Sequence, residues 1–318
     1  MIVTVTPNAA IDKTLNVPNY QLGQRHRCAR GEVLAGGKGI NVARTLKRVA
    51  EPVVATGLAG GATGLRIVEE LTHEGSLNDF VRIADESRTS TVVIDPTVGR
   101  QTEINEYGPE VTEEELAILN EKLRYLSTGA AAVVLAGSLP RRVEPDWYAV
   151  AIRELRRRKV TVVLDSEGEP LRLGVAAEPD FVAPNQFEAE ELVGHEFGTD
   201  GNFAAALDEI VELGARNVLI TRESGCFALL RDGGRVRRFS VEVDVLEAVA
   251  TVGSGDAFLA GFLAGRARGK PVEECLRQGV GCGTANPRTV GAGRLDPRDA
   301  MRYAALTRVT ELAGSRAA

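Results

Sequence analysis

The sequence predicts an α/β protein: a mostly parallel central sheet covered by helices on both faces, with a small second β-sheet projecting as a lid. Three observations predict it. Short β-branched runs alternate with helical patterns through most of the 318 residues, the pattern of a parallel sheet with crossover helices. The runs at 132–136 and 160–164 are apolar throughout, as strands buried on both faces are. Residues 12–34 and 88–107 break the rhythm, reading as extended, partly polar strands with no helix between them.

The elements follow in order. "IVTVT" at 2–6 reads as the first strand, followed by strands at 52–57, 130–137, 160–165, 180–184 and 217–221. Helix-like stretches lie between them near 39–50, 63–75, 113–127, 145–158, 186–194 and 202–214, and the chain after Asp256 looks mainly helical. "RTSTVVIDPTVGRQTEINEYG" reads as a hairpin turning between Asp95 and Arg100. Without linkers, repeats or low-complexity tracts, the chain is expected to form one domain over 1–318, with the lid inserted from about 12–34 and 88–107.

Composition narrows the function classes. A net charge of −6 argues against a nucleic-acid surface. No run approaches the roughly 18 apolar residues of a membrane span, and the N-terminus lacks the pattern of a signal peptide. A cytoplasmic location is therefore expected. Four cysteines without a C-x-x-C pair and three histidines make a zinc site or a disulfide framework a poor fit. The basic cluster "QRHRCAR", holding Arg25, His26, Arg27 and Arg30, reads on charge alone as a solvated edge.

Two glycine-rich stretches carry candidate chemistry. "LAGGKGINVAR" at 34–44 is neither a P-loop nor a dinucleotide fingerprint. Its glycine pair allows close backbone approach, and Lys38 near a helix start suits a polar or anionic ligand; a plain tight turn explains it equally well. In "ATVGSGDAFLAGF" at 250–262, Gly253, Ser254 and Gly255 precede a buried helix. The unpaired N–H groups of that helix start would converge on one spot with partial positive charge. Asp256 in the first turn is either a helix-start acid that complements the dipole or a base for an attacking hydroxyl.

These two stretches resemble the paired signatures of the ribokinase-like, PfkB-type sugar kinases. "PNAAID", "LAGSLPRRV", "VVLDSEGEPL" and "PNQFEAEEL" match that family in order over nearly the whole chain. The segment "RTSTVVIDPTVGRQTEINEYGPE" is similar to the phosphosugar branch, the kinases of fructose 1-phosphate, tagatose 6-phosphate and fructose 6-phosphate. The resemblance implies a three-layer α/β/α sandwich and ATP- and Mg²⁺-dependent phosphorylation of a ketohexose monophosphate, with fructose 1-phosphate the first expectation.

The same resemblance assigns residues. Asp256 becomes the general base, and Gly253, Ser254 and Gly255 the anion hole. Asp12, Gly36, Gly37 and Asn41 become the sugar-hydroxyl contacts. Arg88, with Lys38, Arg25, Arg27 and Ser138, becomes the anchor for the substrate's existing phosphate. Asn185 and Glu188 match the N-x-x-E motif that positions magnesium, although the same pair reads as a capping box. Thr221, Gly225 and Asn286 fall where the adenine nucleotide is expected. Two departures stand out: Ala183 replaces a common lysine before "PN", and Ala250 replaces a polar residue before the second signature. A non-catalytic sugar-phosphate sensor is the rival from another class. The exposed lid edges, together with the dimers of similar kinases, predict a homodimer through the lid.

Overall fold

The computed structural model describes residues 1–244, 252–286 and 291–312. A central sheet of ten strands runs in the order β14-β13-β12-β11-β10-β9-β8-β1-β4-β5. Seven of these strands are parallel: β1 (Ile2–Thr6), β4 (Val53–Gly60), β5 (Asn78–Ile83), β8 (Ala132–Ala136), β9 (Thr161–Asp165), β10 (Phe181–Val182) and β11 (Val218–Arg222). Beyond β11 the sheet continues antiparallel through β12 (Gly225–Asp232), β13 (Arg235–Glu242) and β14 (Arg308–Leu312).

Helices cover both faces, so the architecture is three-layered. One face packs α3 (Glu113–Leu126), α4 (Trp147–Arg157), α5 (Gly168–Val175), α6 (Gln186–Val193) and α7 (Asp200–Glu212) against Val3, Val5, Val133, Leu135, Val162 and Leu164. The other packs α1 (Lys38–Arg48), α8 (Ser254–Ala267) and α9 (Val272–Ala285) against the alternate residues Ile2, Ala132, Val134 and Val163. The period-two alternation of strand side chains divides one apolar run between two cores. The helix α10 (Pro297–Leu306) packs on α9, and α2 (Gly61–His73) backs the base of the small sheet through Ile67 and Leu71.

The small sheet has four strands in the order β3-β2-β6-β7: β3 (Arg30–Gly36), β2 (Ala10–Asn16), β6 (Arg88–Asp95) and β7 (Arg100–Asn105). The hairpin between β6 and β7 turns where the sequence predicts. Residues 12–34 are not continuously extended, however: 17–29 form no strand. Pro18, Asn19 at φ 57 and Gly23 at φ 77 break the run, since Pro removes a ladder donor and the positive φ values leave the β region. The buried Asp95 carboxylate ties that loop to the hairpin by accepting from the N–H groups of Asn19, Tyr20 and Thr97.

The sequence reading also passes over the β12–β13 hairpin, the short α5, and strands β5 and β14. The Gly233–Gly234 turn of that hairpin has φ values of 54 and 81, the conformation glycine pairs supply between antiparallel strands. Among the described residues, no helix is long and apolar enough to cross a membrane.

Candidate active site at the carboxyl ends of the parallel strands

Ligands of open α/β sheets bind beyond the carboxyl ends of the strands, and here the polar residues gather at that end. A cavity of about 150 Å³ is lined by Thr6 at the end of β1, Gly137 and Ser138 after β8, and Glu167 after β9, with Asn8, Gly37, Lys38, Arg88 and Asn105. The small sheet contributes its share through register. Ala10 pairs with Gly36 on one side and Arg88 on the other, and Asp12 pairs with Leu34 and Ser90. Directly opposed residues share a face of a sheet, so Asp12, Gly36 and Arg88 present to the same side. A Cβ on Gly36 would stand 2.0 Å from Asp12 Oδ2, so only glycine leaves room for that carboxylate.

Behind the cavity lies a buried ionic cluster. Lys38 opens α1 and its Nζ donates to Asp165 Oδ1 and Glu188 Oε1, both at 2.8 Å. Asp165 ends the apolar β9, and Glu188 lies in the first turn of α6. Desolvation works against the Lys38 charge, but Asp165, Glu188 and Asp256 outweigh it and raise its pKa well above the usual lysine value. Removing a lysine so placed would leave two carboxylates facing each other without compensation, a strongly destabilising change.

Asp256 sits in the first turn of α8 and is 6% exposed. Its pKa is pushed up to about 7: burial is the main cause and Asp165 and Glu188 add to it, while Lys38 and a hydrogen bond from Asn41 oppose it. Asn41 Nδ2 donates to Asp256 Oδ2 at 2.9 Å, and among the described residues only Asn41 donates to that carboxylate. Asp12 is likewise pushed up to about 6 by burial, with Arg88 and Arg44 pulling the other way.

The helix start beside Asp256 is tightly packed at its N-cap. Gly253 is the N-cap of α8 at φ 78, and a Cβ there would fall 2.5 Å from the Ala292 Cβ. Among the described residues, a Cβ at Gly255 would meet only Thr221 Oγ1, at 3.9 Å. First-turn N–H groups have no intrahelical acceptor and carry the positive end of the helix dipole. The Ser254 hydroxyl is buried without a partner among the described residues. Asn286 braces the turn: its Nδ2 donates to Val252 O at 2.9 Å, and its Oδ1 accepts from Gly293 N at 2.7 Å.

The remaining expected residues fall as follows. Asn185 caps α6 and forms a reciprocal box with Glu188, at 3.0 Å and 2.8 Å, so its side-chain oxygen already accepts from a backbone N–H. Thr221 bridges Asn185 and lies beside the α8 start. Gly225 opens β12 directly after the turn from β11, and a Cβ there would stand 2.0 Å from Val241 O; close strand packing accounts for the glycine. Arg25 and Arg27 are exposed on the 17–29 loop, and neither lines the cavity. Ala183 is buried in the core next to Val182, and Ala250 lies outside the described residues.

Several site residues escape sequence reasoning. Asn8 is one: its Nδ2 donates to Ser138 Oγ at 3.2 Å and Tyr107 O at 3.0 Å, while its main-chain oxygen accepts from Arg88 Nε at 3.2 Å. Asp165 is another, and its signal was an acid closing an otherwise apolar strand. Arg44, a 3% exposed arginine inside α1, is a third.

A polar cleft at the strand ends, with a buried carboxylate in the first turn of an adjoining helix, suits a phosphotransferase with an alcohol group as acceptor. The chain belongs to the pfkB family of carbohydrate kinases, whose model matches residues 5–298. It is 32% identical over 285 residues to a 1-phosphofructokinase of Borreliella burgdorferi, covering 90% of this chain and 91% of the relative. It is 28% identical over 300 residues to a tagatose-6-phosphate kinase of Staphylococcus epidermidis, covering 93% and 95%. Among solved structures, phosphofructokinase-2 of Escherichia coli in complex with substrates and products superposes with a TM-score of 0.88 at 28% identity, covering 96% of this chain and 99% of that one.

Proposed function

We propose that the protein transfers the terminal phosphoryl group of ATP to a ketohexose monophosphate, with D-fructose 1-phosphate, phosphorylated at O6, as the first substrate. The observation that carries this reading is the nearness of two features: Asp256 at a helix start, and a cavity lined by Arg88, Ser138 and Lys38, whose charge acts on Asp256 through space. The pocket suits a fixed phosphate, and the helix start suits a moving one. The B. burgdorferi relative supports fructose 1-phosphate, and the S. epidermidis relative supports tagatose 6-phosphate as the second candidate.

Each side chain then has a chemical task. Asp12 and Asn41 hold sugar hydroxyls; an ionised carboxylate accepts two such donors at once. Asp256 receives the proton of the attacking hydroxyl. Phosphoryl transfer passes through a loose transition state, so the base's aim at the oxygen matters more than its strength. The N–H groups at Gly253–Gly255 face the charge gathering on the transferred group and need no reorganisation to do so.

The donor chemistry fits magnesium. No cluster of three or more ligand side chains exists among the described residues, but Mg²⁺ uses only one or two carboxylates beside water and phosphate oxygens. Glu188, expected to position the ion together with Asn185, is the carboxylate that would serve it; its Oε1 takes the Lys38 ammonium and its Oε2 the Asn185 N–H, so it would act through water. When bound, the ion neutralises charge on the donor's phosphates. The small sheet acts as the lid, and pairing through its exposed strand β7 would make a homodimer.

The test is a coupled assay over fructose 1-phosphate, tagatose 6-phosphate, fructose 6-phosphate and the unphosphorylated sugars, with Asp256→Asn alongside. The variant is expected to bind phosphosugar within a few-fold of the parent while turnover drops by roughly 10³ or more. Near-normal turnover in the variant defeats the base assignment. A parent that binds phosphosugar but turns over nothing points to a sensor instead.

A further inference from the structure

We propose that Arg44 is a positioning residue of this site: it fixes the side-chain amide of Asn41 so that the NH₂ group, not the oxygen, faces Asp256. The inference rests on the reading of Asp256 as the base.

Arg44 follows Asn41 by three residues on α1, which puts both on one face of the helix. Its Nη1 lies 3.4 Å from Asn41 Oδ1 and donates to Ala292 O at 2.9 Å. Nη2 donates to Ala35 O at 2.8 Å, and Nε to Glu74 Oε2 at 2.9 Å. A guanidinium has five donors and no acceptor, so the amide oxygen of Asn41 must turn toward it. The NH₂ group is thereby delivered to Asp256 Oδ2. The flipped amide would oppose donor to donor at Arg44 and oxygen to carboxylate at Asp256. That second contact is tolerable only when Asp256 is protonated, the form useless as a base.

Arg44 also joins the two glycine loops. Ala35 immediately precedes Gly36 and Gly37, and Ala292 packs where a Cβ on Gly253 would fall. The guanidinium is held in turn by Glu74, which Arg294 Nη2 also contacts at 3.0 Å, while Arg294 Nη1 reaches Glu32 at 3.2 Å. Glu70 faces the same group, and Arg44 acts on Asp12 through space. The charges bearing on Asp256 itself are Asp165 on β9, Lys38 on α1 and Glu188 on α6. Arg44 makes no direct contact with Asp256, so its influence runs through the amide.

The experiment compares kcat against pH for the parent, Arg44→Met and Arg44→Lys, with melting curves to confirm folding. Freed from its anchor, Asn41 samples the flipped amide. The acid limb is therefore expected to move up by about half to one pH unit in Arg44→Met, which is a roughly three- to tenfold loss of turnover below that limb. Turnover should recover to within about threefold of the parent at high pH, a recovery that general loosening of the site would not give. Arg44→Lys keeps the charge but not the fork, and a smaller shift in the same direction is expected. If Arg44→Met does not fold, Arg44→Lys decides. A folded variant whose acid limb coincides with the parent's overturns the proposal. Asp256→Asn separates the two failures: an active Asp256→Asn removes the base reading, whereas an inactive one with an unmoved limb removes only the role of Arg44.

Discussion

Burial pushes two carboxylates of this region upward, Asp256 to about 7 and Asp12 to about 6. If Asp256 accepts the proton and Asp12 accepts sugar hydroxyls, both must be charged in the free enzyme. The logarithm of kcat/KM should therefore climb with slope one as pH rises from about 6 to 7, and with slope two below about 6. A profile flat from pH 5 to 8 would contradict both roles. The same displacement has a thermodynamic side. Its folded pKa lies above the ordinary 3.8, so the native state keeps a proton that the unfolded chain releases. Stability should fall as pH rises from about 4 to 7 and level off above. Asp256→Asn escapes that penalty and should melt higher than the parent at pH 8, by on the order of 2–3 kcal/mol, the gap closing near pH 4. Calorimetry at the two pH values reads it directly. The positions of Asn41 inside α1 and Asp256 at the start of α8 were legible in the sequence, because glycine turns and apolar spacing mark those helices. Arg44, Asp165 and Asn8 were not: their partners lie 248, 127 and 130 residues away, and no local pattern announces a contact at that range.

Elements whose signal is local were read well. The apolar runs of β8 and β9 declare strands buried on both faces, and Asn185 with Glu188 declares the start of α6. The misses have physical causes. The α5 segment "GEPLRLGV" carries two glycines and a proline and is only eight residues long, so neither propensity nor periodicity marks it. Strands β12 and β13 form a long antiparallel extension where the preceding rhythm foretells a helix. The helix start of α8 offers the sharpest element-level test. Gly253→Ala forces a side chain onto a residue at φ 78 and against Ala292. It should cost about 1–3 kcal/mol of stability and, by displacing the N–H groups, roughly 10²-fold in kcat. The paired measurement is a melting curve and a turnover assay; unchanged kcat would mean those groups do not meet the transferred phosphoryl.

At the scale of the whole molecule, the net charge is −6, and at the cleft Lys38 is already paired with Asp165 and Glu188. If Arg88 holds the substrate's phosphate, salt should screen that attraction, and KM for the phosphosugar is expected to rise with ionic strength. Strand β7 is exposed along its whole length and carries Ile104 at 58% exposure, an edge that pairing across a two-fold axis would cover. Sedimentation is expected to give a dimer at micromolar protein, and Ile104→Lys is expected to shift it toward monomer. Full activity in a parent that sediments as a monomer would count against the lid interface.

The span between Asn41 and Asp256, 215 residues, bears on the life of the chain before it is complete. During synthesis, the segments that form the small sheet leave the ribosome long before Asp256 and its helix do. A nascent chain short of α8 has neither the proton acceptor nor the α8 N–H groups, so unfinished or C-terminally clipped copies cannot carry out the proposed transfer.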